Sequence, residues 1–261
     1  MTTKHAFLVG INDYKISPLR GCVNDVIALG ELLVRKYNFD SNDITSLYDA
    51  DATSNNIKQG LANVLRESNP GDTVIFGYAG HGTQKGINIE GEIDGKNEAL
   101  VPFDMSYNTL ITDTKLHEII MSFLASKEVN FTAIYDCCHS GTMIRSLDFN
   151  DTTGKIYEPV INRSLNIEFP QEILTKNVVI GPYNVFSACK DEETAADLLN
   201  LNGVPRGAFS YALQKVLDDS PNIIISNIEE RVSDIIENIT THKQNPTYFA
   251  VNSSSRVFTN S

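Results

Sequence analysis

Two thiols, a carboxylate and an imidazole close one short apolar run. Val129 to Ile134 is β-branched and aromatic, without Pro or Gly, and reads as a buried strand. It leads into Tyr135-Asp136-Cys137-Cys138-His139-Ser140-Gly141. A thiol attacks a carbonyl carbon once it is a thiolate. Reactive groups at the end of a core strand therefore mark a site at the edge of an open α/β sheet. Side chains alternate along a strand, so Asp136 and Cys138 are expected on one face and Cys137 on the other. Cys137 continues the face of Phe131, Ala133 and Tyr135 and reads as a packed thiol. Cys138 is the candidate nucleophile. Two buried structural cysteines are the alternative.

A second run, Thr73 to Gly80, ends on Gly80-His81-Gly82. An imidazole brought beside Cys138 draws off the thiol proton. The oxyanion that then develops needs donors, and the backbone N–H groups of Gly82 and Cys138 suit that role. His139 is the rival base, but it adjoins Cys138 and its ring is expected to point away.

The positioning elements are read in chain order. His5–Asn12 reads as a first core strand. Val26, Leu29, Leu32 and Leu33 recur on a helical face, with Asn24 and Asp25 as N-cap candidates. Ile44–Tyr48 is a short strand, and Thr53 caps a helix through Leu65. Gly77 and Gly80 suggest close approach of another backbone or a ligand. Gln84–Asn97 reads as a hairpin outside the main sheet, and Leu116–Leu124 as a helix. Val185–Cys189 and Pro246–Val251 are strands, and Ala208–Leu217 and Ile228–Ile239 are amphipathic helices. Strands alternate with helices, so the fold class is α/β with a mostly parallel central sheet flanked by helices. Residues 142–176 show no strong period.

The 261 residues are 41% hydrophobic and can bury a sizeable core. No stretch approaches the roughly 20 apolar residues of a membrane span, and no signal-peptide pattern opens the chain. A net charge of −12 disfavours nucleic acid and anionic membranes as partners and favours basic substrates. Cys22, Cys137, Cys138 and Cys189 have no zinc-ligand spacing, and the expected compartment is the reducing cytoplasm.

Phe76-Gly-Tyr-Ala-Gly-His81-Gly, Glu98-Ala-Leu-Val-Pro-Phe-Asp104 and Asp136-Cys-Cys-His-Ser-Gly141 resemble the metacaspases and orthocaspases, cysteine peptidases of the caspase fold. Leu19-Arg-Gly-Cys22-Val-Asn-Asp25 and Ser187-Ala-Cys-Lys-Asp-Glu-Glu-Thr-Ala-Ala-Asp197 match as well. The Gln-Ala-Cys start of the caspase signature is absent. The resemblance implies a caspase-like fold, His81 as general base and Cys138 as nucleophile in amide hydrolysis. It further implies a pocket for Arg or Lys before the scissile bond, formed by Cys22, Asp25, Ala79 and Asp136. Arg20 lies where caspases carry an arginine that binds Asp, but two pocket carboxylates favour Arg or Lys.

The same resemblance places calcium ligands at Asn97, Asp113, Thr114 and Arg145. Only one of these keeps a carboxylate, so no metal or other cofactor is expected there. Glu92, Asp94, Glu98 and Asp148 are an alternative set. The chain reads as one peptidase domain over residues 1–261. About 1–145 is its large-subunit-like part, 146–176 a linker and 177–261 its small-subunit-like part. Self-processing is expected within residues 142–176, at Arg145, Lys155, Arg163 or Lys176. Any activator or regulator protein is expected to act in trans. A catalytically silent caspase-fold interaction module and a thiol transferase are the other readings.

Overall fold

The computed structural model describes residues 2–86, 96–137, 160–163, 182–189, 195–201 and 203–258. In chain order the elements are β1 (Lys4–Gly10), α1 (Cys22–Tyr37), β2 (Ile44–Tyr48), α2 (Ser54–Glu67), β3 (Thr73–Ala79), β4 (Gly82–Gly86), β5 (Lys96–Leu100), β6 (Ile111–Thr112) and α3 (Asp113–Leu124). The second half holds β7 (Asn130–Asp136), β8 (Val160–Asn162), β9 (Asn184–Ser187), β10 (Ala196–Leu201), β11 (Val204–Gly207), α4 (Ala208–Asp219), α5 (Ile228–Ile239) and β12 (Thr247–Phe249).

The central sheet has the order β12-β9-β7-β3-β1-β2. All its pairings are parallel except the edge pair β12 and β9. Every residue of β3 is buried, as a central parallel strand covered on both faces requires. The β1–α1–β2 crossover moves outward across the sheet and β2–α2–β3 returns past β1. Right-handed crossovers therefore put α1 and α2 on opposite faces. In agreement, α1 packs against α4 and α4 against α5, while α2 packs against α3. The core lies between these layers and the sheet.

Register makes the strand ends level. Gly10 pairs with Ala79, and Ala79 with Asp136, so β1, β3 and β7 finish side by side. Two small antiparallel sheets stand at this end. One is β4-β5-β6, which contains the hairpin expected from the sequence; the other is β11-β10-β8.

Three expectations are corrected. Asn24 and Asp25 do not cap α1. Gly21 is the N-cap residue, and the first-turn N–H groups of Cys22 and Val23 reach Asn12 Oδ1 at 3.0 and 3.3 Å. That frees Asp25, which is 1% exposed, for another partner. The close approach at Gly80 comes from side chains rather than from another backbone: a Cβ there would lie 2.6 Å from the hydroxyls of Tyr14 and Tyr78. At Gly77 the neighbours are likewise the core side chains Leu8 and Leu29. Finally, within the stretch without a strong period Val160–Asn162 forms a strand, and a fully buried arginine, Arg163, follows it.

Candidate active site

His81 follows the end of β3 and is fully buried. Its Nε2 lies 2.6 Å from the Ser17 carbonyl. A carbonyl only accepts, so Nε2 carries the proton and Nδ1 the lone pair. Nδ1 has no hydrogen-bond partner among the described residues. Burial holds the imidazole below its usual value, so it is neutral at pH 7 with its lone pair free of a proton. Ser17 sits at φ 54°, in the left-handed region. Strained backbone of this kind collects at functional sites, and here it aims the carbonyl that fixes the imidazole. Tyr14 packs its ring 4.5 Å from the His81 ring, and its hydroxyl accepts the His81 N–H at 3.0 Å. These two supports carry no sequence signal, since both come from a loop that only the fold brings to His81.

Asp136 is the last residue of β7, and Asp25 lies in the first turn of α1. Both are buried, and between them lies the guanidinium of Arg163. Its Nη2 is 2.6 Å from Asp25 Oδ2, and its Nη1 is 3.1 Å from Asp136 Oδ2. Asp197 of β10, absent from the expected pocket, is 2.8 Å from Nη2. Arg206 of β11 adds a second cation, with Nε 2.7 Å from Asp25 Oδ1. Helix starts contribute as well: the Ser210 N–H in the first turn of α4 donates to Asp136 Oδ2 at 3.0 Å. Three buried carboxylates thus face two guanidiniums and two helix N-termini. Burial still pushes Asp25 up to about 6, against the downward pull of Arg163.

The other expected pocket residues occupy the same place. Ala79 ends β3 beside Asp136, and both Ala79 and Cys22 are buried. Burial raises the Cys22 thiol well above its usual value, so it stays protonated as part of the wall. Arg20 contributes its backbone N–H to Asp197 at 2.9 Å, while its side chain is exposed.

The backbone of Arg163 is engaged as closely as its side chain. Its carbonyl accepts the Gly82 N–H at 3.0 Å, and its own N–H donates to the Ala195 carbonyl at 3.0 Å. Upstream, β8 pairs antiparallel with β10, with Asn162 opposite Ala196, Ile161 opposite Asp197 and Val160 opposite Leu198. An extended segment therefore lies along β10 with an arginine in the acidic pocket. The carbonyl of that arginine rests on the N–H expected to hold an oxyanion.

Cys137 is buried and packed as expected, with the Cys189 thiol 3.8 Å from its carbonyl. Cys138, His139 and the cleavage candidates Arg145, Lys155 and Lys176 lie outside the described residues. So do Glu92, Asp94 and Asp148 of the alternative calcium set. Asp113 opens α3, where its Oδ1 accepts the Thr114 N–H at 2.6 Å, and it shares a cleft with Glu98.

Asp197 and Arg206 were missed because each meets Asp25 or Arg163 only across the fold. The one available signal for Asp197 is its place as the last residue of the Ser187–Asp197 stretch that carries the resemblance.

Residues 4–147 match the model of the metacaspase, peptidase C14 domain. The chain is 28% identical over 276 residues to Metacaspase-1 of Schizosaccharomyces pombe, covering 90% of this chain and 64% of that protein. It is 32% identical over 228 residues to Metacaspase-1 of Plasmodium falciparum, covering 84% and 35%. With Metacaspase-2 of Trypanosoma brucei brucei it shares 33% over 208 residues, covering 76% and 57%. The chain thus spans between about a third and two thirds of the length of these relatives. In structure it is similar to protein GSU0716 from Geobacter sulfurreducens, with a TM-score of 0.70 and 18% identity over 98% of each chain, which shows a shared fold. With its caspase-like α/β sheet and more than half its length matched by the family model, the chain belongs to the metacaspase family of C14 peptidase domains.

Proposed function

We propose that this domain is a cysteine endopeptidase that cleaves peptide bonds after Arg or Lys and processes itself. The observation that carries this reading is the seat of Arg163, with its side chain among Asp25, Asp136 and Asp197 and its carbonyl on the Gly82 N–H. This is the posture of a residue before a scissile bond. It supports Arg163–Ser164 as one of the four expected self-cleavage sites.

The proposed chemistry runs on the pair Cys138 and His81. His81 Nδ1 takes the Cys138 thiol proton, and the thiolate sulfur attacks the carbonyl carbon. The Gly82 and Cys138 N–H groups hold the oxyanion. The intermediate collapses to a thioester as the imidazolium returns its proton to the leaving amine. A water, deprotonated by the same imidazole, then hydrolyses the thioester and frees the thiol. No step requires a metal, and calcium is proposed to be dispensable.

The deciding experiment is a peptide-library cleavage profile of the wild type beside Cys138→Ala. Cleavage after basic residues by the wild type alone is expected. Cleavage chiefly after Asp, or equal cleavage by both proteins, would refute the reading.

A further inference from the structure

The acidic pocket is shaped for a plane rather than a point charge, and its part in substrate choice rests on the proposed peptidase function. Arg163 Nη2 bridges Asp25 Oδ2 at 2.6 Å and Asp197 Oδ1 at 2.8 Å. Its Nη1 meets Asp136 Oδ2 at 3.1 Å and the Asp136 carbonyl at 3.3 Å. Two nitrogens of one rigid group thus serve three carboxylates that are all 0–1% exposed. An ammonium has one nitrogen and can take only one of these positions. Arg206 stays on Asp25, so an ammonium would leave either Asp197 or Asp136 without a cation in a dry site. A bridging water would restore a hydrogen bond but no charge. Gly207 flattens the slot further, because a Cβ there would collide with Asp136 Oδ2 and lie 2.7 Å from Arg163 Cζ.

Asp197 is the member of the trio that comes from the substrate-side strand β10. Its carboxylate is fixed from behind by the N–H groups of Gly21 at 3.1 Å and Arg20 at 2.9 Å. We propose that Asp197 is a specificity-determining residue: as the third carboxylate of the pocket, it makes the site select Arg over Lys before the scissile bond.

The test uses the full chain and two reporter peptides, Val-Ile-Asn-Arg and Val-Ile-Asn-Lys, whose order copies residues 160–163. The wild type is expected to favour the Arg peptide by about tenfold or more in kcat/KM. In Asp197→Asn the Arg peptide is expected to lose about tenfold or more, chiefly through KM, while the Lys peptide changes little and the ratio falls towards one. Asp197→Ser still offers an oxygen to the Arg20 and Gly21 N–H groups and carries the same expectation should the Asn variant fail to fold. In cis, Arg163→Lys is expected to slow self-cleavage. Equal use of the two peptides by the wild type, or proportional losses in the Asp197 variants, would overturn the assignment of Asp197. Failure to cleave either basic peptide while another residue is accepted would instead overturn the peptidase reading itself.

Discussion

One buried imidazole nitrogen and one thiol carry the proposed bond chemistry, and each has a distinct mutational signature. His81→Ala and Cys138→Ala are expected to abolish hydrolysis in a burst-acylation assay. Cys137→Ala, which removes only a packed thiol, is expected to stay active. A dead Cys137→Ala beside an active Cys138→Ala would reverse the assignment. Asp25 is expected to set the pH response. Burial moves its carboxyl to about 6 even with Arg163 alongside, and an emptied pocket lacks that downward pull. The carboxylate charge is present above this value and is lost as pH falls through it. For an arginyl peptide, kcat/KM should therefore drop on an acid limb at or above about pH 6. Burial lowers the value for His81, which keeps the imidazole neutral at pH 7. Asp25→Asn should remove the limb and cost about 2–5 kcal/mol in transition-state binding. A pH profile unchanged by Asp25→Asn would separate Asp25 from substrate recognition.

At the scale of elements, the strand ends were legible and the cross-fold partners were not. The apolar run into Asp136 and the glycine-flanked His81 announce themselves locally, because strand periodicity is a local property. β8 is three residues long and finds its partner β10 more than thirty residues later. Nothing in the composition of residues 142–176 signals that pairing. The same holds for the start of α1, where Asn12 from the preceding loop supplies the cap and leaves Asp25 to the pocket. If β8 seats Arg163 as a substrate residue, mass spectrometry of the incubated wild type should find a cut after Arg163. That cut should be absent from Cys138→Ala and from Arg163→Gln. Cutting only at Arg145, Lys155 or Lys176 would count against the seat. Calcium is a separate question at this scale. Asp113 already accepts its own helix's N–H, so hydrolysis is expected to persist in excess chelator. Loss of activity restored by millimolar calcium would show that other carboxylates build a metal site.

For the molecule as a whole, the alternation of strand and helix was enough to read a parallel α/β sheet, but not its antiparallel edge or the small sheet that receives β8. A cut after Arg163 would divide the chain between β8 and β9, yet β9 is hydrogen-bonded to β7 and α4 packs on α1. The two pieces should therefore co-elute at the size of the uncut chain and separate only in denaturant. Elution as two smaller species would show that the core does not span the cut.

The pairing of β8 with β10 also has a kinetic meaning. A segment tethered this closely acts at an effective concentration on the order of millimolar, whatever the dilution of the protein. The first cut should then be a first-order event whose half-time is the same at nanomolar and micromolar enzyme. A peptide arriving from solution must displace that tether, so onset of its cleavage should lag by the time Arg163 needs to vacate the slot.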